Sequence, residues 1–313
     1  MQNKRRISIN KFALRLSLLL ALFITCACSS SDDDSVIDPS LKGNKNRNAT
    51  FAEVTNLASA SEAAKISQRM EMPALKGGEN WFMVYKSPEI GVNFCVEWDT
   101  QKRSQRWTAY QMTTTTNTKN WNRNNWPDGD PFQPDYDLPA EYRTELSDYR
   151  GSGYNRGHIC PSADRLSSKT ANGQTFYLTN IQPMVYNLNG YTWEYMEDKV
   201  RKWSPSSPSD TMYVCKGGTI DNGQYKTHRG LLVPNYFFMA ILVKNNKSGN
   251  GGYKAMAFWI EHKDENQGGD LKKFAISIDE LEAKTGIDFF CNLPDNIEEE
   301  VESKYIPSVW GLE

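Results

Sequence analysis

The sequence predicts an α+β fold, a mostly antiparallel central sheet with helices packed against it. Three observations carry that prediction. The runs WFMVYKS, VNFCVEWD and RWTAYQMTTTT are dense in aromatic and β-branched residues and are separated by turn signals. The stretch YTWEYMEDKVRKW reads as a helix, and SIDELEAKTG is a second helix with a Ser277 cap and a Gly286 stop. Residues 71–313 contain no internal repeat and no linker, a length that one domain accommodates.

Two segments precede that domain. In residues 1–27, five basic residues (Lys4, Arg5, Arg6, Lys11 and Arg15) accompany an apolar run over residues 16–24. The run is shorter than the ~20 residues that span a bilayer and suits a signal peptide. It ends in Thr25-Cys26-Ala27-Cys28 followed by SSSDDD. This resembles a bacterial lipoprotein signal with Cys28 as the lipidated residue, which implies an exported chain anchored to the outer membrane. The acidic residues 32–34 resemble a surface-export tether. Residues 28–70 read as a flexible polar tether and an alanine-rich peripheral helix.

Along the domain, strands are predicted over residues 81–87, 92–99 and 106–116, then over 174–181 (QTFYLTNI). The helix at 191–203 follows, then strands at 211–220, 231–243 and 252–262, and the helix at 277–286. Residues 117–152 are rich in Asn, Asp, Pro and Tyr and form a long irregular excursion. Such loops in compact domains are usually functional.

Without the five basic residues of the leader, 31 Lys+Arg face 38 Asp+Glu, a formal charge of −7. That balance excludes polyanion binding by bulk charge, so any nucleic-acid contact rests on a local site. Cys95, Cys160, Cys215 and Cys291 form no Cys-x-x-Cys pair, which argues against zinc. In an exported chain they predict two disulfides. Of the three possible pairings, Cys160–Cys215 with Cys95–Cys291 is favoured.

The stretch GYNRGHICPSADR (153–165) holds His158, one of three histidines. The preceding Gly157 lets the backbone turn sharply and expose the imidazole. Asn189 sits just before the predicted helix and Glu197 eight residues on, about 80° apart on its surface. Trp193 lies between them as an anchor. These groups suit phosphodiester hydrolysis. A neutral imidazole takes a proton from water near pH 7, because its ordinary pKa is about 6.5. An amide oxygen with several waters suits Mg²⁺, which neutralises charge on the phosphate and the leaving oxygen, and an arginine adds to that.

With those residues in view, the segments resemble the DNA/RNA non-specific endonucleases of the ββα-metal (His-Me finger) superfamily. The Asp-Arg-Gly-His signature of that family stands here as Asn155-Arg156-Gly157-His158, followed by Pro161. Its strand-to-helix block stands as NIQPMVYNLNGYTWEYME, from Asn180 to Glu197, and an Arg-Asn-Trp-like element as Arg123-Asn124-Asn125-Trp126. The resemblance runs from about residue 80 to 292 and implies a ββα-metal finger active site. By it His158 is the general base and Asn189 the metal ligand. Glu197 orients water on the metal, Arg123 and Arg156 contact phosphate, and Asn180 supports the His-bearing loop and lies on the substrate side. It implies DNA and RNA as substrates, Mg²⁺ as cofactor with Mn²⁺ as a substitute, and a 5′-phosphate product. Two departures stand out: Asn155 replaces the usual Asp and removes a charge near the metal, and Met184 stands where many members carry Gln.

Each residue has a plainer role beside this one. Taken alone, His158 is a loop histidine, Asn189 a helix N-terminal residue, Glu197 a solvated helix position and Arg123 a loop charge; their combination reverses those odds. His228 and His262 have no such company. Cys160 beside the base reads as a staple rather than as thiol chemistry. Tyr154, Trp121 and Trp126 suit base stacking and core packing about equally. Two rival functions remain: a nucleic-acid-binding relic weakened by Asn155, and a surface lipoprotein that binds glycans or peptides through aromatic loops.

Overall fold

The computed structural model describes residues 60–127, 131–245, 252–265 and 267–312. The predicted leader, Cys28 and the tether lie outside the described residues, as does the first part of the alanine-rich helix. In chain order the strands are β1 (Asn80–Ser87), β2 (Gly91–Asp99), β3 (Ser104–Met112), β4 (Asn155–His158), β5 (Ile181–Met184) and β6 (Thr211–Gly218). They continue with β7 (Tyr225–His228), β8 (Leu231–Pro234), β9 (Tyr236–Lys244), β10 (Tyr253–Glu261) and β11 (Ala275–Ile276). The α-helices are α1 (Ala60–Ser67), α2 (Leu146–Tyr149), α3 (Lys169–Gln174), α4 (Trp193–Trp203), α5 (Ile278–Thr285) and α6 (Asp295–Glu302).

Seven strands form the main sheet in the order β1-β2-β3-β6-β9-β10-β11, and all neighbouring pairs are antiparallel. The predicted α+β architecture is therefore observed. Successive side chains of a strand point to opposite faces, and here both faces are covered. On the front, Tyr110, Val214, Met239 and Ile241 pack with Ile159, Met184, Leu188, Trp193 and Met196. On the back, Trp107, Ala109, Phe238 and Ala240 pack with Ile66, Ile278, Leu281, Phe289 and Val301. Two-sided burial explains why β9 reads YFFMAILVK, nearly continuous in apolar residues, rather than alternating. Each fully buried side chain such as Leu281 or Met196 contributes about 1.5–3 kcal/mol.

β3 and β6 are neighbours in space, yet the chain between them carries α2, α3, α4, β4 and β5. This long excursion is laid over the front face. On the back, Ser277 Oγ accepts from the Glu280 N–H at 3.1 Å, and Gly286 takes φ 68° to close α5, as predicted.

Three expectations are corrected. QTFYLTNI is not a strand: it holds the end of α3, a turn and a 3₁₀ turn (Leu178–Asn180), and only Ile181 begins β5. LLVPNYFFMAILV is two strands in different sheets, because Pro234 has no N–H to continue a ladder and β9 starts afresh at Tyr236. The four cysteines are buried and form neither predicted disulfide. Cys160 lies in the front core and Cys215 in the back core, so the sheet stands between them. Cys95 and Cys215 both flank Ala109 across two strand spacings, about 9.5 Å, beyond the ~7 Å reach of a disulfide. The Cys291 thiol donates to the Met72 carbonyl at 3.6 Å. Among the described residues no helix is long and apolar enough to cross a membrane.

Candidate active site

β4, β5 and α4 form a ββα unit on the front face. β4 pairs antiparallel with β5 so that Asn155 faces Met184, Gly157 faces Gln182 and His158 faces Ile181. Gly157 serves close approach rather than the sharp turn expected of it. A Cβ there would lie 2.8 Å from Met184 Cβ and 3.1 Å from the Gln182 carbonyl. Gln182 ties the pair to the main sheet: its Nε2 donates to Ser104 Oγ at 3.1 Å, and its Oε1 accepts from the Gly218 N–H at 2.6 Å. Asn180 fixes the chain just past the histidine. Its Oδ1 accepts from Cys160 N–H at 2.8 Å, while its Nδ2 donates to the carbonyls of Cys160 and Thr175 at 2.9 and 2.8 Å. Fully buried and fully bonded, Asn180 supports the His loop and offers no surface to substrate.

α4 is joined to β4 by Trp193, which is buried and donates from Nε1 to the His158 carbonyl at 3.3 Å. Ahead of α4 the helix opens into a π turn over Leu188–Thr192, and Asn189 sits in it. π turns widen the helix and often re-aim a functional side chain. Asn189 lines an open cleft of about 580 Å³ together with Phe132, Tyr149, Arg150, Tyr154, Asn155 and Arg156.

His158 stands beside that cleft, half-buried, with its ring 5.2 Å from Phe132 and 4.9 Å from Phe176. The other side of Phe132 carries the Arg156 guanidinium, 4.0 Å from the ring centroid. His158 Nε2 is closed to solvent and has no hydrogen-bond partner among the described residues. Burial first, then the positive charges of Arg123, Lys216 and Arg156, push its pKa down to about 3. The imidazole is therefore neutral at physiological pH. Arg123 lies exposed on a 3₁₀ turn (Arg123–Asn125) whose entry is capped by Asn122.

Glu197 is not a solvated helix position. Its Oε1 accepts from Lys216 Nζ at 2.7 Å, and the two side chains are 12% and 1% exposed. The Lys216 ammonium also lies 4.6 Å from the Trp193 ring centroid. Burial raises the Glu197 pKa, and Lys216 opposes that rise. Lys216 was missed in the sequence; its signal was a lone cation inside the buried strand TMYVCKGG.

The donor set fits a hard cation that keeps most of its own waters. The amides of Asn189 and Asn155 line the cleft and the Glu197 carboxylate lies two turns along from Asn189, so the oxygen donors are few and not assembled as a closed cage. The remaining candidates divide. Tyr154 lines the cleft, with the rings of His228 and His262 5.5 and 6.1 Å away. His262 is structural: Nε2 accepts from Val185 N–H at 2.8 Å and Nδ1 lies 2.7 Å from the Pro234 carbonyl. Trp121 and Trp126 pack on each other away from the cleft lining, and Trp126 Nε1 donates to Asn172 Oδ1 at 2.8 Å, so Trp126 is tied into the packing around α3.

Comparison with known proteins agrees with this geometry. A profile of the family described as DNA/RNA non-specific endonuclease matches residues 87–296. A nuclease of Nostoc sp. is 31% identical over 215 residues, covering 67% of this chain and 76% of its own. Human mitochondrial endonuclease G is 27% identical over 173 residues, covering 52% of this chain and 57% of its own. A crystal structure of the EndoG/EndoGI complex shares the fold, with a TM-score of 0.58 at 22% identity over 73% of this chain and 92% of that one.

Proposed function

The chain belongs to the DNA/RNA non-specific endonuclease family, a family of nucleases, and on that premise we propose that it hydrolyses phosphodiester bonds of DNA and RNA with His158 as general base. The observation that carries this reading is the neutral imidazole on β4 with an unpartnered Nε2, set among Arg123, Arg156 and Lys216. Arg123 and Arg156, which add to burial in keeping a proton off His158, would also draw a phosphate towards it. As the phosphate's negative charge offsets theirs, the basicity of the imidazole recovers where the reacting water sits.

Each remaining side chain has a part. Arg123 and Arg156 hold the non-bridging oxygens, and Phe132 keeps the Arg156 guanidinium in place. Glu197, held by Lys216, accepts hydrogen bonds from water above α4. Asn189 would hold Mg²⁺, with Glu197 acting on its waters and Mn²⁺ as a substitute. A bound cation of that kind stabilises charge developing on the phosphate and on the leaving 3′-oxygen. The products are a 5′-phosphate and a free 3′-hydroxyl. Asn155 places a neutral amide on the cleft wall, beside these groups rather than in place of any of them.

The test is cleavage of plasmid DNA and of RNA by purified protein in Mg²⁺, with EDTA as the control. His158→Ala is expected to lower kcat roughly 10²–10⁴-fold, the usual share of a general base, with Tm unchanged or raised. Full activity in that variant would remove His158 from the chemistry. Retained binding without cleavage by the wild-type chain in either cation would favour a binding relic instead.

A further inference from the structure

The back of the sheet holds a second cluster of oxygen donors, remote in the fold from the ββα unit. Asp279 and Glu282 are three residues apart on α5, hence on one face of it, and Glu302 is the last residue of α6. One carboxylate oxygen from each lies within 4.8 Å of the others. We propose that Asp279, Glu282 and Glu302 form a structural site for a hard divalent cation, Ca²⁺ by its donor set, which ties α6 to α5.

Glu302 makes this more than an acidic surface patch. It is 2% exposed, and its Oε1 has no hydrogen-bond partner among the described residues. A buried carboxylate without a partner must take up a proton or a cation. Among the described residues no ion pair joins Glu302 to a basic side chain, and the charged groups that act on it most are carboxylates: Glu282, Glu298, Asp279 and Asp288. Lys284 on α5 pairs instead with Glu280 at 3.4 Å. Glu282 is also fixed in place, because its Oε1 accepts from the Phe289 N–H at 2.6 Å.

The donor set favours calcium over magnesium. Ca²⁺ takes six to eight oxygen ligands in flexible geometry and is readily held by several carboxylates, whereas Mg²⁺ usually keeps most of its waters and is held by one or two. The exposed Asp279 edge leaves room for the waters that complete six to eight ligands. Leu281 of α5 and Val301 of α6 belong to one core cluster, so a cation joining their neighbours reinforces packing already present.

The experiment is titration of the full chain, stripped with EDTA, with CaCl₂ by calorimetry and by thermal melting. One site with a Kd of about 10⁻⁴–10⁻³ M, the range of extracellular Ca²⁺ modules, and a Tm that rises by several degrees are expected. The rise should persist in Asn189→Ala, which disables the cleft, and vanish in Glu302→Gln. Gln is an isostere of the neutral carboxyl, so the Tm of Glu302→Gln in EDTA should match or exceed that of wild type. If that variant does not fold, Glu282→Gln gives the same comparison from a half-exposed position. An unchanged wild-type Tm in Ca²⁺, meaning Glu302 simply carries a proton, overturns the proposal. An equal rise in wild type and Glu302→Gln overturns it too.

Discussion

Adjacent residues of β6 serve opposite faces of the sheet: Cys215 points into the back core, and Lys216 meets Glu197 and Trp193 on the front. The back face packs α1, α5 and α6 on the strands, with the buried pair Arg106–Glu97 at 3.1 Å beside that apolar core and a carboxylate cluster on α5 and α6. The front face has an apolar floor of the same quality, from Met184 to Met196, and above it several groups that a core would not tolerate. These include a histidine nitrogen with no hydrogen-bond partner among the described residues and a π turn, together with the Lys216–Glu197 pair, the front-face counterpart of Arg106–Glu97. Such features persist only where the surroundings over-determine them. The ties that do so here are Asn180, Gln182 and Trp193, each bonding one element of the ββα unit to another.

If that division holds, the two faces fail differently. The largest stability effect is expected from Lys216→Met, which leaves Glu197 buried without its cation; breaking such a pair costs about 3–5 kcal/mol. Activity should fall with it, and a denaturant melt alongside a cleavage assay reads both. On the back, Leu281→Ala should cost about 2–5 kcal/mol through the cavity it leaves, with kcat at low temperature unchanged. A loss of kcat to match Lys216→Met would show that the faces are not separable. Gly157→Ala is expected to cost about 1–3 kcal/mol by overpacking. Its added methyl meets Met184 Cβ and the Gln182 carbonyl, so the loss of activity should exceed what its stability explains.

The same division accounts for what was legible in the sequence. Long strands buried on both faces announce themselves by composition, and α5 by its Ser277 cap and Gly286 stop. β4 and β5 do not: NRGH and IQPM have no period, and their pairing is imposed by contacts to distant residues such as Ser104 and Gly218. Arg156, His158, Asn189 and Glu197 were found through motif spacing, and the structure gathers them around one unit. Lys216 was not, because its partner belongs to another element and no local pattern links the two. Asn180 was found for the right reason, support of the His loop, while its placement on the substrate side ignored how many hydrogen bonds that support would consume.

A pH dependence separates the faces by sign. On the front, His158 in the unfolded chain takes a proton near its ordinary 6.5, whereas in the fold it resists until about 3. Its contribution to stability is therefore complete above pH 6.5 and is lost as pH falls from there towards 3. On the back, Glu302 holds in the fold a proton that the unfolded chain releases near 4.5. Its contribution is complete below pH 4.5 and is lost as pH rises. Tm measured in EDTA across this span should thus decline on both sides of an optimum. His158→Gln should lessen only the acid-side decline, because Gln does not titrate there. The acid limb of kcat/KM for the wild-type chain should likewise lie below pH 6.5, since the free enzyme keeps its imidazole unprotonated past that point. An acid limb at 6.5 or above would mean that His158 is as open to solvent as any surface histidine, and that the front face lacks the burial assigned to it.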